Sequence, residues 1–526
     1  MISLGIDIGG TGCKCVAFSD AGEQLAIAYT EYPLEAGQVN LPPDILQSSV
    51  FQVISRCTSQ LAESSSSITA LTVSSFGESF VALDQSGAAL TDILLYFGNT
   101  ESEEFSQLVE LVGHEKFMEI ARILPDASYS LSKMLYTRKV AERPVWKYLF
   151  IAGFICYRLS GRACSDVSLA CRSLLYDVKN QCWSNELVAA CGINPQTLPE
   201  ILPTGSLVGN ILPDLAVQLG LPTDVKIVMG SHDQIVNALG AGVSEVGDAV
   251  DTSGTCECIT PLFAGIPENM SFQRNNFACV PYLENRGYVT YAYNISAGSV
   301  VRWYRDALNS HLEEEAEQFG CSIYDLLNET CPVEPTNLMI LPFLQGMGGT
   351  PDVDPNATGL IAGLTTQTRL PDIYRAILEG ITFEMRYNQE KLAEHGVRFQ
   401  RLYACGGGAK SPVWLQIKAD ILGCEIIPVK SDETGAMGSA ILGLAAVTGE
   451  QPFKIASRFW KYGETVRPNR LHQAIYNQRY FIFKMLRNIY NQKQCLKNNS
   501  VEFPAKTNRK KLITPPTNGS IYSFVD

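Results

Sequence analysis

The sequence predicts an α/β protein built from two domains that face a shared cleft. Its 526 residues exceed what one ordinary hydrophobic core organises, so two domains are the natural expectation. The pattern Asp-x-x-Gly-Thr begins at Asp7 and again at Asp251, which places the two copies about half a chain length apart. Strand-like apolar runs and helical stretches occur in both halves. We therefore expect a duplicated unit, with residues 1–243 and 244–485 as the two domains.

The first half opens with a β-meander rather than a strand followed by a helix. Strands are predicted at residues 2–8, 14–18, 23–29, 68–75 and 80–83, with glycine-containing turns between several of them. Walker A loops and dinucleotide-binding fingerprints both need a helix directly after their glycines, so neither applies to the pattern at Asp7. Residues 101–220 are predicted to be mainly helical, with a break at Pro125.

Signals of strand, turn and helix recur from the end of the first half onwards. A buried strand at 225–229 leads through Gly-Ser-His to Asp233 and a helix at 234–241, and the second copy follows. Further on, we predict a helix at 366–395, a strand at 402–404, a triple glycine at 406–408 and a helix at 413–422. Eight basic residues and one acid between Lys484 and Lys511 indicate a disordered tail over 486–526, with a basic interaction arm as the alternative.

Composition excludes several classes of function. The net charge of −13 disfavours nonspecific binding to nucleic acid or to an acidic membrane surface. No apolar run reaches the ~18 residues of a membrane span, and no signal peptide is visible, so we expect a soluble cytoplasmic protein. The 16 Cys include no C-x-x-C pair, which argues against a zinc site and favours reduced, buried thiols.

Each Asp-x-x-Gly-Thr copy has the parts of a phosphate-binding β-hairpin. The strand delivers a carboxylate for a metal-bound phosphate, the Gly permits close approach of the backbone, and a hydroxyl and free N–H groups follow. The triple glycine before a helix is a third such site, because backbone N–H groups and the helix dipole favour phosphate there. One copy alone is a weak signal, whereas the three together predict a nucleotide held from two sides.

These motifs resemble those of the FGGY family of carbohydrate kinases, whose fold is a duplicated ribonuclease-H-like, actin-like ATPase core. The resemblance covers roughly residues 1–485 and begins with the segment 5–11. The other matching segments are 133–136, 165–166 with 174–177, 230–233, 253–255, Gly298 with Trp303 and Asp306, 354–357 with Gly359, 379–380, 406–408 and 435–440.

The resemblance implies an ATP-dependent kinase acting on a terminal hydroxyl of a ketose. Asp233 would be the general base that accepts the hydroxyl proton, which suits phosphoryl transfer because that chemistry depends on positioning and one proton acceptor. A plain helix N-cap is the structural alternative for Asp233, and it can serve as both. Glu78 and Gln234 would bind substrate beside Asp233. Asp7 would hold Mg²⁺. The implied ATP-binding residues are Gly10, Thr11, Lys14, Gly254, Thr255, Gly298, Arg302, Gly407, Gly408 and Ser411.

The substrate segment departs from each branch of the family. Segment 76–80 keeps Glu78 of the glycerol-kinase pattern but lacks its Arg, and it lacks the Met-His pair of xylulokinases. Family charges are also missing at 97–100 and at 346–351, which suggests an altered substrate or altered domain-closure contacts. A pentulose such as xylulose or ribulose is the leading substrate. A small polyol (glycerol or a tetritol) or a deoxy-ketohexose is the alternative within the class, and an actin-like ATPase or an inactive sugar sensor lies outside it. A homodimer is the expected assembly.

Overall fold

The computed structural model describes residues 1–35, 37–95 and 102–497, and the side chains of 490–497 are excepted. Contacts between Cα atoms group the chain into two compact units, Met1–Phe483 and Lys484–Asp526. The domain boundary between residues 243 and 244 stays a prediction. The altered segment at 97–100 lies outside the described residues.

The strands of the described residues follow in chain order. They are β1 Ile2–Ile8, β2 Gly12–Ser19, β3 Gln24–Glu31, β4 Asn40–Leu41, β5 Ile68–Ser75, β6 Phe80–Leu83, β7 Ile93–Leu94, β8 Lys147–Phe150, β9 Cys164–Asp166, β10 Tyr176–Asp177, β11 Cys182–Trp183, β12 Glu200–Leu202, β13 Leu207–Asn210, β14 Lys226–His232, β15 Asp248–Ser253, β16 Glu257–Phe263, β17 Val280–Pro281, β18 Tyr288–Val289, β19 Ala292–Asn294, β20 Met339–Leu341, β21 Leu360–Ala362, β22 Arg401–Cys405 and β23 Glu425–Pro428.

The α-helices interleave with these strands. They are α1 Pro43–Leu61, α2 Glu103–Val112, α3 His114–Ile120, α4 Ser130–Val140, α5 Ile151–Ser160, α6 Val167–Ala170, α7 Asn185–Ala190, α8 Pro213–Leu219, α9 Asp233–Ala241, α10 Ser271–Arg274, α11 Gly298–Leu308, α12 Leu312–Phe319, α13 Ile323–Thr330, α14 Leu370–Glu394, α15 Pro412–Leu422, α16 Thr434–Thr448, α17 Pro452–Phe459 and α18 Arg470–Lys497. Among them, none combines the length and apolar character that a membrane span requires.

Two sheets repeat one pattern of five strands. In the first, the neighbours run β14-β5-β1-β2-β3, and in the second β23-β22-β15-β16-β18. Both place an antiparallel hairpin (β1–β2 or β15–β16) beside a parallel strand (β5 or β22). The three-dimensional repeat therefore contains the sequence repeat, with Asp7 and Asp251 on the equivalent strands β1 and β15.

Helices α9 and α16 pack against each other and join the two sheets. Helix α9 follows β14 of the first sheet and contacts β15 and β22, whereas α16 follows β23 of the second and packs on β1 and β5. The approach is close because small residues line it: a Cβ on Gly438 would lie 1.9 Å from the backbone oxygen of Val236. Contact this tight needs glycine and fixes the position of the residues at the start of both helices.

Most strong local signals match the structure, and two regions differ. Residues 101–220 are only partly helical, since β8 to β13 lie within them. These strands have two to four residues, too few to show an alternating pattern, and several of them pair with strands distant in sequence. The predicted disordered tail begins at 486, but α18 continues to Lys497. The Gln, Lys, Arg and Leu residues at the end of α18 all favour helix, although most of them are polar.

Candidate active site

The β1–β2 hairpin presents a carboxylate without a protein partner. Antiparallel pairing sets Asp7 opposite Lys14, and the turn between them contains Gly10 and the exposed Thr11. Among the described residues, the carboxylate of Asp7 makes no hydrogen bond or ion pair. Burial raises its pKa, and the charge of Lys14 partly offsets that rise. Asp7 therefore keeps both oxygens available for a ligand.

Lys14, predicted to contact phosphate, pairs with the opposite half of the chain. Its Nζ lies 2.8 Å from Glu433 Oε2, and Glu433 directly precedes α16. The next residue but one, Gly435, would place a Cβ 3.1 Å from Asp7 Oδ2. The first hairpin and the N-terminus of α16 are thus neighbours.

The β15–β16 hairpin repeats the motif, but its carboxylate is neutralised inside the protein. Lys418 of α15 donates to Asp251 and lies 2.9 Å from Glu257. All three side chains are fully buried. A buried cluster of this kind is stable only while each charge keeps its partner. Two identical motifs therefore differ in chemistry, since Asp251 is held within the fold and Asp7 is not.

The remaining predicted nucleotide residues gather around the second hairpin. Gly254 and Thr255 form its exposed tip, and the N–H of Ser299 donates to Thr255 O at 3.0 Å. Gly298, the first residue of α11, approaches so closely that a Cβ would lie 2.0 Å from Gly254 O. Arg302 lies one turn further along α11 and is exposed.

The triple glycine lies against the same hairpin. Gly406 has a φ of 81° and packs on the backbone of Ser253, and Gly407 and Gly408 follow in a short 3₁₀ helix. Ser411 caps α15 by accepting from Trp414 N, and its hydroxyl donates to Asn328 Oδ1 at 2.7 Å. The Ser411 side chain is therefore already engaged within the protein.

Asp233 is the first residue of α9, at the end of β14. His232 is the N-cap, because its Nδ1 accepts from the N–H of Gln234 at 3.3 Å. The N-cap alternative for Asp233 is wrong for this reason, and its carboxylate remains about one-third exposed. Burial, with the charges of Asp7 and Glu78 second, raises the pKa of Asp233 to about 7.

Glu78 lies in the turn between β5 and β6 with a φ of 64°, and it is buried. This turn directs the Glu78 side chain towards the interior of the protein. Arg172 donates from Nε to Glu78 Oε1 at 2.5 Å. Burial opposes ionisation of Glu78, but Arg172, with His232 and Lys133, outweighs it and lowers the pKa.

Aromatic rings and a second cation surround this pair. The Arg172 guanidinium lies over the rings of Tyr129 and Tyr291 at 4.8 and 5.3 Å, and His232 stacks on Tyr291 at 5.1 Å. Lys133 is almost fully buried and forms no salt bridge in the part of the chain that the structure describes. Burial lowers its pKa to about 8, although Glu78 partly offsets the effect.

Asn237 links helix α9 to strand β15 and to helix α16. It donates to Thr252 Oγ1 of β15 at 2.7 Å and accepts from Thr434 Oγ1 of α16 at 2.5 Å. Gln234, three residues earlier, accepts a long hydrogen bond of 3.5 Å from Thr260 of β16. Asp7, Asp233 and Glu78 are also close enough for their charges to interact. The carboxylates of Asp7, Glu78 and Asp233 therefore lie in one region.

Sequence reasoning did not assign several of these groups. Arg172 and Tyr129 lie beside segments that matched the family but outside them, Tyr291 lies near none, and Lys418 has no local sign that it would pair with Asp251. Lys133 lies in a segment that matched the family, and that match was the only signal pointing to it.

The two sheets that repeat one strand order match the actin-like ATPase fold. The xylulose kinase structure from Lactobacillus acidophilus superposes with a TM-score of 0.82 at 22% identity and covers 93% of this chain and 98% of that one. At this identity the likeness establishes the fold alone. The class defined by fold and sequence together is a phosphotransferase with an alcohol group as acceptor.

The chain belongs to the FGGY family of carbohydrate kinases. The N-terminal domain of that family matches residues 2–240, and the C-terminal domain matches residues 267–447. A gluconokinase from Bacillus licheniformis is 29% identical over 469 residues, which are 86% of this chain and 89% of the relative. A xylulose kinase from Staphylococcus xylosus is 23% identical over 498 residues, which are 92% and 99% of the two chains.

Proposed function

We propose that this protein transfers the γ-phosphate of ATP to a terminal hydroxyl of an open-chain sugar, with Asp233 as general base. The observation that supports this most strongly is the state of Asp233. It begins a helix without capping it, is partly exposed, and has a pKa raised to about 7. A general base is most effective when its pKa lies near the working pH.

In the proposed reaction, Asp233 accepts the proton of the substrate hydroxyl as its oxygen attacks the γ-phosphorus. A new P–O bond forms, the bond to the bridging oxygen breaks, and ADP leaves with that electron pair. Glu78 and Gln234 bind the sugar. The proposed ATP contacts are the two hairpin turns, Lys14 and the loops around them, namely Gly10, Thr11, Gly254, Thr255, Gly298, Arg302, Gly407, Gly408 and Ser411.

The residues present fit a magnesium ion carried by the nucleotide. Mg²⁺ is commonly held by one or two carboxylates together with substrate phosphates rather than by a protein cage. Asp7 offers an unpaired carboxylate, and no cluster of three or more acidic, His or Cys ligands occurs in the described part of the chain. Bound Mg²⁺ would neutralise charge on the phosphates during transfer.

The proposed substrate is a pentulose such as xylulose or ribulose. A buried carboxylate at Glu78, with the cation of Lys133 nearby, suits a chain that offers both hydroxyl and carbonyl oxygens. Gluconate is the second candidate. Lys133 is a buried cation without an ion-pair partner among the described residues, which favours a substrate carboxylate, and gluconokinases are among the similar proteins.

Coupled measurement of ADP release tests the proposal. The panel contains xylulose, ribulose, gluconate, fuculose, erythritol and glycerol, each with and without Mg²⁺. Release that depends on one sugar and on Mg²⁺ supports the kinase and names its substrate. ADP release without added sugar would favour the actin-like ATPase, and sugar binding without turnover would favour the inactive sensor.

A further inference from the structure

The Arg172–Glu78 pair has an unusual geometry. Both guanidinium contacts, from Nε and from Nη2, reach the same carboxylate oxygen, Oε1, at 2.5 Å. Oε2 has no protein hydrogen-bond partner among the described residues, and it is not sealed from solvent. A carboxylate oxygen has two lone pairs, so Oε2 can accept two hydrogen bonds.

Arg172 is itself held in place. It lies in the 3₁₀ turn Cys171–Ser173, which follows α6 directly. Its guanidinium lies over the rings of both Tyr129 and Tyr291, and only 12% of its side chain is exposed. A long side chain fixed in this way loses little further entropy when it holds a partner. Glu78 is therefore oriented by a group that cannot easily move.

We infer that Arg172 is a positioning residue that fixes Glu78 so that Oε2 receives two neighbouring hydroxyls of the substrate. The inference rests on the proposed function and extends it: the sugar site selects a vicinal diol, and Arg172 acts only through Glu78. A side-on Arg contact at one oxygen leaves the other free, whereas a contact that used both oxygens would leave fewer lone pairs for the substrate. The lowered pKa of Glu78 agrees, since an ionised carboxylate accepts hydroxyl protons most strongly.

Four variants test the inference: Arg172→Gln, Arg172→Lys, Glu78→Gln and the double variant Arg172→Gln/Glu78→Gln. The probe is xylulose, or gluconate if only gluconate is turned over by the wild type. We expect Arg172→Gln to raise the sugar KM about 10- to 100-fold, the range for hydrogen bonds to a charged group. The KM for ATP should stay within about twofold, because the change acts on one substrate only. Arg172→Lys should recover part of the loss.

The double variant separates positioning from independent binding. If Arg172 acts through Glu78, the double variant should be no worse than Glu78→Gln alone. Arg162→Gln is the matched control, since Arg162 pairs with Glu200 at 2.9 Å on the surface, and its sugar KM should not change. Two results would overturn the inference. One is a sugar KM in the double variant that reflects the product of the two single losses, and the other is an unchanged sugar KM in Arg172→Gln.

Deoxy analogues of the probe give a test that does not depend on the folding of any variant. In the wild type, removal of either of two adjacent hydroxyls from the sugar should raise the sugar KM by a similar factor, about tenfold. If no adjacent pair shows this, the vicinal-diol inference fails while sugar-dependent turnover still upholds the kinase. An absence of turnover with every sugar would instead overturn the proposed function. Calorimetry would then compare the affinities of xylulose and its deoxy analogues, which tests the diol site without turnover.

Discussion

Replacement of Asp233 by Asn should slow catalysis by orders of magnitude and stabilise the protein at the same time. Loss of a general base typically costs about 10²- to 10⁴-fold in rate. Affinity for ATP should change little, because Asp233 is proposed to contact the sugar hydroxyl. The stability gain follows from the raised pKa, since the folded protein pays to hold the ionised carboxylate and Asn removes that cost.

The magnitude follows from the pKa. A rise from 3.8 to about 7 corresponds to ~4 kcal/mol at ~1.36 kcal/mol per pH unit. About one-third of the Asp233 side chain faces solvent, so we reduce this figure to ~2 kcal/mol. Because the folded protein binds the proton more tightly than the unfolded chain, stability falls as the pH rises from about 4 to about 7. The gain in Asp233→Asn should therefore be largest at pH 8 and shrink towards pH 5.

Thermal unfolding at pH 8 and pH 5, together with coupled ADP release, measures both effects. We expect Tm to rise by a few degrees at pH 8, on the order of 2–4 °C. Glu78→Gln is the matched control, and we expect it to lower Tm. The pKa of Glu78 is lowered, so its ionised form stabilises the fold, and the loss of that charge leaves Arg172 buried and unpaired. A fully active Asp233→Asn would refute the base assignment, and a Tm at pH 8 equal to or below that of the wild type would refute the electrostatic reasoning.

The other predictions concern the pH profile, the two hairpins and the helix pair. In a pH–rate profile at saturating Mg-ATP, the kcat/KM for the sugar should increase with pH and level off above about pH 7, because Asp233 must lose its proton to act as a base. Lys418→Met should lower stability by about 3–5 kcal/mol, seen as a fall in Tm, because it leaves two buried carboxylates unpaired. Asp7→Asn should raise the Mg²⁺ concentration needed for half-maximal ADP release, and an unchanged Mg²⁺ titration would remove Asp7 from the metal site. Gly438→Val should prevent folding to a soluble protein, measured by gel filtration against Gly265→Ala, since a Cβ on Gly438 meets backbone at 1.9 Å and one on Gly265 meets nothing.

Local patterns predicted much of the fold because the signals are strong where strands are long and buried. The strands Ile68–Ser75 and Phe80–Leu83 begin and end where expected, and the helix of Leu370–Glu394 lies within the predicted stretch. Apolar runs bounded by Gly or Asp turns have few other interpretations. The short strands between Lys147 and Asn210 escaped prediction, because pairing with distant segments decides them rather than their own periodicity.

The residues of the candidate site also divide into those that the sequence named and those that only the structure revealed. Asp7 could be named from the phosphate-hairpin motif, because that chemistry restricts the residue types, whereas Glu78 and Asp233 were named from the resemblance of their segments to the family. Arg172 could not, since it meets Glu78 across 94 positions of the chain. Its role depends on a turn, on two tyrosine rings and on which carboxylate oxygen it reaches.

By itself, the sequence determined the duplicated α/β architecture and the family, because both depend on local patterns that repeat or on motifs in a fixed order, and the resemblance to the family named the proposed base. Only the tertiary structure decided which of two identical motifs has a free carboxylate. Lys418 neutralises Asp251 from 167 positions away, whereas Asp7 forms no salt bridge with any cation in the described part of the chain and only feels the charge of Lys14. Charge pairing in a buried site depends on distance in space, and no spacing along the chain encodes it.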